Sequence, residues 1–238
     1  MAKTYHPIDA IKAAKSFIKG MPIDRPEIAK MILNAAHIYM WKYTPWVWTV
    51  GTMDTFSVAS DTQDYTVNIP SDFTYAFGAT LVDSDSGKMS PYVELEVVSH
   101  LPTDVGLVGT PKKVAFSGTA GLVGTARISP KPGSNIGDTS YVVSQYKRTP
   151  TLYTPQTIFT GTMPFDDVYF DVFSEGVLWR AYKFADDRRA GDANIDPKTG
   201  KWAFSGQRAE FETGLQLMVE REPLIIASPF RIEQKEKK

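Results

Sequence analysis

The sequence predicts an α+β fold in which N- and C-terminal helical hairpins form one antiparallel helical bundle, with an inserted β-rich module and an extended C-terminal arm. Three observations predict it. Apolar residues recur at helical spacing through residues 1–44 and again through 163–222. Residues 45–162 are instead rich in Thr, Val, Tyr and Phe and punctuated by Gly, Pro, Asp and Ser, the pattern of short strands and turns. Residues 223–238 then join an apolar strip to a charged end. A short helical pair is marginal by itself, so the two hairpins are expected to pack on one another, with the β module projecting from them.

The first helix follows Pro7, with Ile8, Ile11, Ala14 and Ile18 on one side and Gly20 with Pro22 as its stop. In the second, Asp24 with Glu27 suggests a capping box, Pro26 suits the first turn, and Ile28, Met31, Ile32, Ala35 and Tyr39 make an apolar face. Strands are expected at 46–50, 64–69, 76–82, 92–98, 113–117, 124–129 and 139–147, with a hairpin turn at 83–87. After Pro164 a third helix runs through Val168, Val172, Val177, Trp179 and Tyr182 and stops at Gly191. A fourth, over 201–221, is expected to bury Trp202, Phe211, Leu215 and Met218 before Pro223 ends it.

Composition narrows the function classes. At 238 residues, 42% of them hydrophobic, the chain is long enough to bury a sizeable core in one large domain or two small ones. A formal charge of -1 argues against tight non-specific nucleic-acid binding, which needs many uncompensated cations to displace counterions from phosphates. The absence of Cys removes disulfides, thiolate metal sites and thiol nucleophiles together. Met1 to Pro7 has no apolar run followed by a small-residue cleavage site, and no stretch reaches the roughly 18 to 20 apolar residues of a membrane span. Synthesis in the cytoplasm and no membrane partner are the expectation.

Searched for catalytic chemistry, the sequence offers little. His6, His37 and His100 stand singly, without the spacing of a zinc helix. Ser117 and Ser205 both lie in Ala-Phe-Ser-Gly and lack the first glycine of a nucleophile elbow. The glycines from Gly118 to Gly124 lack the Gly-Lys-Ser/Thr ending of a phosphate loop and read as a β connection. Asp83, Asp85 and Glu94, and again Asp192, Asn194 and Asp196, match some calcium-loop positions, but Lys88 and Pro197 stand where the sharp turn needs glycine. Asp72, Glu94 and Glu96 could serve a glycosidase as acids, yet no motif supports them. The expectation is therefore no enzyme, no cofactor and no metal.

Two constellations remain. Asp167, Asp171 and Glu175 follow an i, i+4, i+8 pattern and form an acidic stripe on the third helix. A solvated face accounts for it; the functional alternative is a channel lining whose repulsion keeps passing DNA from sticking. Trp41, Tyr43, Trp46 and Trp48 read as an aromatic seal at a helix-to-strand junction, with base or sugar stacking as the alternative.

Taken in order, several segments resemble the head-to-tail adaptor, or connector, proteins of short-tailed bacteriophages, the family often called tail tubular protein A. The segments are Trp46 to Trp48, the strand and turn from Tyr65 through Pro70 to Phe73, Arg127 through Pro130 and Pro132 to Gly133, and Tyr141 through Tyr146 and Arg148 to Pro150. Met163-Pro164 leading to Glu175 through Tyr182, and the close at Asp186 to Arg189, complete the series. The resemblance implies a structural virion protein at the head-tail junction, in a closed ring of about twelve copies bound to a portal and a downstream tail or nozzle protein, around passing DNA. A tail-tube, nozzle or capsid-stabilising protein is the alternative. The resemblance also gives the arm a role, with Leu224, Ile225, Ile226, Phe230, Arg231 and Ile232 docking on the portal or a neighbouring copy. Burying its five apolar side chains would contribute about 1.5 to 3 kcal/mol each before ordering costs.

Overall fold

The computed structural model describes residues 5–82, 92–102, 107–134, 136 and 140–221. They fall into two compact units, one of residues 5–48 with 150–221, the other of the described residues between Thr49 and Thr149.

The second unit is built on one large sheet. Its strands are β1 (Val50–Thr52), β2 (Phe56–Ser57), β3 (Asp64–Asn68), β4 (Phe73–Val82), β5 (Tyr92–Val97), β7 (Lys113–Ser117), β8 (Val123–Ser129) and β10 (Tyr141–Arg148), while β6 (Val108–Gly109) and β9 (Lys131–Pro132) pair separately. Seven strands follow the order β1-β10-β4-β5-β7-β8-β3, and β2 joins beside β10. Within that order every pairing is antiparallel except β5 with β7. Register shifts at Gln145/Tyr146 and Lys147/Arg148 bend the long β4–β10 ladder, and such bulges increase local twist, so the sheet curls. Alternation then sends Tyr65 and Val67 inward to Leu81, Leu95, Val114, Ile128 and Val142. In the β7–β8 hairpin, a Cβ on Gly124 would lie 2.5 Å from the Ser117 carbonyl oxygen, so only glycine permits that approach.

The first unit contains α1 (Pro7–Lys15), α2 (Pro26–Tyr43), a single turn α3 (Thr157–Thr160), α4 (Phe170–Phe184), the hairpin strands β11 (Ala193–Ile195) and β12 (Trp202–Phe204), and α5 (Gly206–Arg221). Proline opens both α1 and α2, where a missing amide hydrogen costs nothing. The core gathers Ile11, Ile23, Leu33, Trp46, Phe173, Trp179, Phe211 and Leu215.

The architecture is thus mixed α/β around a large curled sheet, and the antiparallel bundle expected from the sequence does not form. Among the described residues only four helices reach seven residues. α1, of 9 residues, packs with α2 and α5 against α4, which leaves no seam between two closed hairpins. The expected C-terminal hairpin is also interrupted. Gly191, at φ +75, approaches Ser205 so closely that an added Cβ would lie 1.8 Å from its carbonyl oxygen, and the chain between them is spent on the β11–β12 ribbon.

Smaller expectations change for equally local reasons. Residues 47–49 form a 3-10 turn where a strand was expected. No capping box forms at Asp24 and Glu27, because the N-cap of α2 is Arg25, one residue past Asp24; Asp24 pairs with Lys15 and Glu27 with Lys30 at 2.6 Å. Trp202 belongs to β12 and is 62% exposed, not buried in a helix. The turn expected at 83–87 and the arm residues Leu224, Ile225, Ile226, Phe230, Arg231 and Ile232 lie outside the described residues.

Candidate functional site

The polar chemistry of the first unit concentrates where α2, α4 and α5 meet. α2 buries Ala29, Ile32, Leu33, Ala36, Met40 and Trp41. That stripe is offset from the expected one, and it turns Ala35, Ile38 and Tyr39 only partly inward while leaving Met31 57% exposed. The helix therefore carries more apolar surface than its core contact consumes.

Tyr39 donates its hydroxyl proton to the buried Glu212 carboxylate, which also faces Arg208 at 3.7 Å. Burial and the hydrogen bond to Glu212 push the Tyr39 hydroxyl above its usual range. Trp179 lies beside two guanidinium groups, Arg180 at 4.0 Å and Arg208 at 5.2 Å from its ring centre, and Arg208 also covers Phe204 at 4.6 Å. Such contacts hold a cation against an apolar surface without neutralising it.

Beside this stack an open groove of ≈ 550 Å³ is lined by Ala35, Ile38, Tyr39, Lys42, Tyr43 and Arg180. Arg180 is half-buried, its Nε is buried without a hydrogen-bond partner, and no carboxylate among the described residues pairs with it. Burial lowers its affinity for the proton; Tyr39 opposes this, while the charge of Arg208 reinforces it. Lys42 is exposed and likewise without an ion pair among the described residues.

The other flank of the same helices is acidic. Val172 and Gly176 seat α5: a Cβ on Gly176 would meet the Phe211 ring at 2.7 Å, and one on Gly214 would meet Val172 at 3.0 Å. At about 100° per residue, Glu175 falls on one side of this contact and Arg180 on the other. Of the expected stripe, Asp167 sits in the 3-10 turn Asp167–Tyr169, Asp171 is exposed in the first turn of α4, and Glu175 is half-buried. Glu175 accepts a hydrogen bond from Gln207 of α5. Burial pushes its carboxyl up; the Gln207 amide opposes this, while the charges of Glu210 and Asp171 reinforce it. Beside the stripe, Val168 is 64% exposed.

Sequence reasoning found Asp167, Asp171 and Glu175 but missed Glu210 beside them and the whole cationic groove. The surplus of apolar positions on α2 was the available signal for the groove. The aromatic segment is core: Trp46 is buried, stacks on Trp48 at 5.9 Å and donates to the Met40 carbonyl at 2.7 Å.

In the β unit, a smaller cleft of ≈ 380 Å³ collects Asp64, His100, Ser117 and Arg127. Its charges are matched: Arg127 grips both Asp64 oxygens, at 2.6 and 2.9 Å, and donates to the Leu101 carbonyl at 3.1 Å. The guanidinium holds the Asp64 carboxyl below its usual range. Of the acids considered for a glycosidase, Asp72 accepts from Tyr146 at 2.7 Å and Glu96 faces Lys113 at 3.2 Å, while Glu94 is exposed. Asp196 accepts from Lys198 and Thr199 within its hairpin loop. Among the described residues no cluster of three or more His, Asp or Glu side chains could hold a metal ion, and no helix is long and apolar enough to cross a membrane.

No protein-family model matches the sequence, and a search of curated proteins finds no relative.

Proposed function

We propose that this chain is a non-enzymatic structural subunit that assembles with copies of itself into a ring at the junction of a bacteriophage head and tail. In this reading the ring, of about twelve copies, joins a portal to a downstream tail or nozzle component and lets DNA pass without sequence-specific contact. The setting comes from the ordered resemblance to head-to-tail adaptors. The observation that carries self-assembly is the β11–β12 ribbon, where Ile195 and Trp202 pair across the strands and are 57% and 62% exposed. Large apolar side chains placed together on a short, solvated ribbon favour association with another surface.

Imaging of the purified full-length protein, with and without a portal, tests the reading. Closed rings or portal-bound oligomers are expected. A chain that stays monomeric at every concentration and ignores the portal would overturn it.

A further inference from the structure

The α2 groove combines an apolar surface with positive charge at its edge. Its floor is apolar and aromatic, and its rim carries Lys42 and Arg180, neither with an ion pair among the described residues. A half-buried guanidinium that faces no carboxylate among the described residues favours an incoming one at its accessible nitrogens, because charge-assisted bonds to Arg are among the stronger hydrogen bonds. The opposite flank of the α4–α5 pair has the complementary composition. There Asp171, Glu175 and Glu210 also lack ion pairs among the described residues, and Val168 is exposed in the turn that precedes α4.

From this complementarity we infer that the groove of Ala35, Ile38, Tyr39, Lys42, Tyr43 and Arg180 receives the Val168–Asp171–Glu175–Glu210 flank of a second copy of this chain. Val168 supplies the apolar insert, and the carboxylates meet Lys42 and Arg180. Because donor and acceptor surfaces lie on opposite flanks of one helix pair, each copy engages two neighbours. Contacts of this head-to-tail kind close into a ring when the rotation between copies permits. The inference rests on the self-assembly reading and gives it a contact. It also takes Asp171 and Glu175 out of a lumen wall and places them between subunits.

The test reverses each surface separately in the full-length protein. A groove variant carries Lys42→Glu and Arg180→Glu; a flank variant carries Asp171→Lys and Glu210→Lys. Each alone should weaken self-association at least about tenfold, since like charges then face one another at every contact. Mixed in equal amounts they should assemble again, in alternation. Lys42→Glu with Glu210→Lys, both at exposed positions, forms a second pair that leaves the Arg180–Trp179 packing intact. Wild-type oligomers with both pairs of variants unaffected would overturn this contact and leave self-assembly standing. So would groove variants that lose only the portal. A wild-type chain that never self-associates would overturn both.

Discussion

His37 and Tyr153 face each other with ring centres 5.2 Å apart, in a buried site where neither imidazole nitrogen nor the tyrosine hydroxyl has a hydrogen-bond partner. Burial holds the His37 imidazole down to about 4 from 6.5, so the folded protein keeps it neutral. An unfolded chain binds that proton more readily. The stability it contributes is complete above pH 6.5 and is lost as pH falls toward 4. The depression is worth on the order of 3 kcal/mol. Chemical denaturation at a series of pH values should show stability rising across this window, and His37→Phe should flatten the rise. An unchanged slope in the variant would assign the acid sensitivity elsewhere.

Gly176 lies directly under Phe211, where an added Cβ would come within 2.7 Å of the ring. Gly176→Ala should therefore destabilise the helical unit by about 1 to 3 kcal/mol, the usual cost of overpacking. Gly109→Ala, with nothing near its Cβ position, should cost less than about 0.5 kcal/mol. Thermal melting of the two variants checks the contrast; equal midpoints would mean that α5 shifts without penalty.

Lys147 is buried in the β unit and donates to Thr49 at 2.6 Å, and burial brings its ammonium down to about 8 from 10.5. The unfolded chain again holds the proton more tightly. This lysine's contribution to stability should increase between pH 8 and 10.5 and fall away as pH drops through 8. Lys147→Met removes that dependence. Denaturation midpoints of both proteins, measured from pH 7 to 10.5, should diverge in slope; parallel curves would refute the depressed ammonium.

Trp202 makes its mark outside the folded chain. Trp202→Ala should change the unfolding free energy by less than about 0.5 kcal/mol, as exposed substitutions do. Sedimentation should nonetheless show weaker self-association. A variant that assembles like the wild type would remove the ribbon from self-association and leave the proposed function without its principal support.

Legibility in the sequence followed how local each signal was. Runs rich in Val, Thr, Tyr and Phe between turn residues placed the strands Asp64–Asn68 and Lys113–Ser117 well, and in the first of them one-sided burial alternates along neighbouring residues. The mixed architecture was not legible. Nothing in the segments themselves announces that β5 pairs in parallel with β7, or that bulges curl the β4–β10 ladder. On α2, Ile28, Met31, Ile32, Ala35 and Tyr39 do share a helical face, but Ala29, Leu33, Ala36 and Met40 share another, and only the presence of α4 decides which is buried. Trp202 was misplaced because a large aromatic residue beside a helix predicts burial, whereas here the short ribbon carries it into solvent. Of the site, the acidic residues were visible as a repeat. Arg180 was not, since its isolation depends on which carboxylates fail to reach it.

The pairing of β1 with β10 sets Val50 opposite Lys147. The chain thus comes into the β unit and leaves it along adjacent strands, about 5 Å apart. Residues 49–149 are, in engineering terms, a cartridge with both leads on one side. Excised, they already have their ends together, as domains that tolerate insertion and permutation do. The two stretches of helical unit left behind would need only a short linker to rejoin, and another module with neighbouring ends could occupy the same socket.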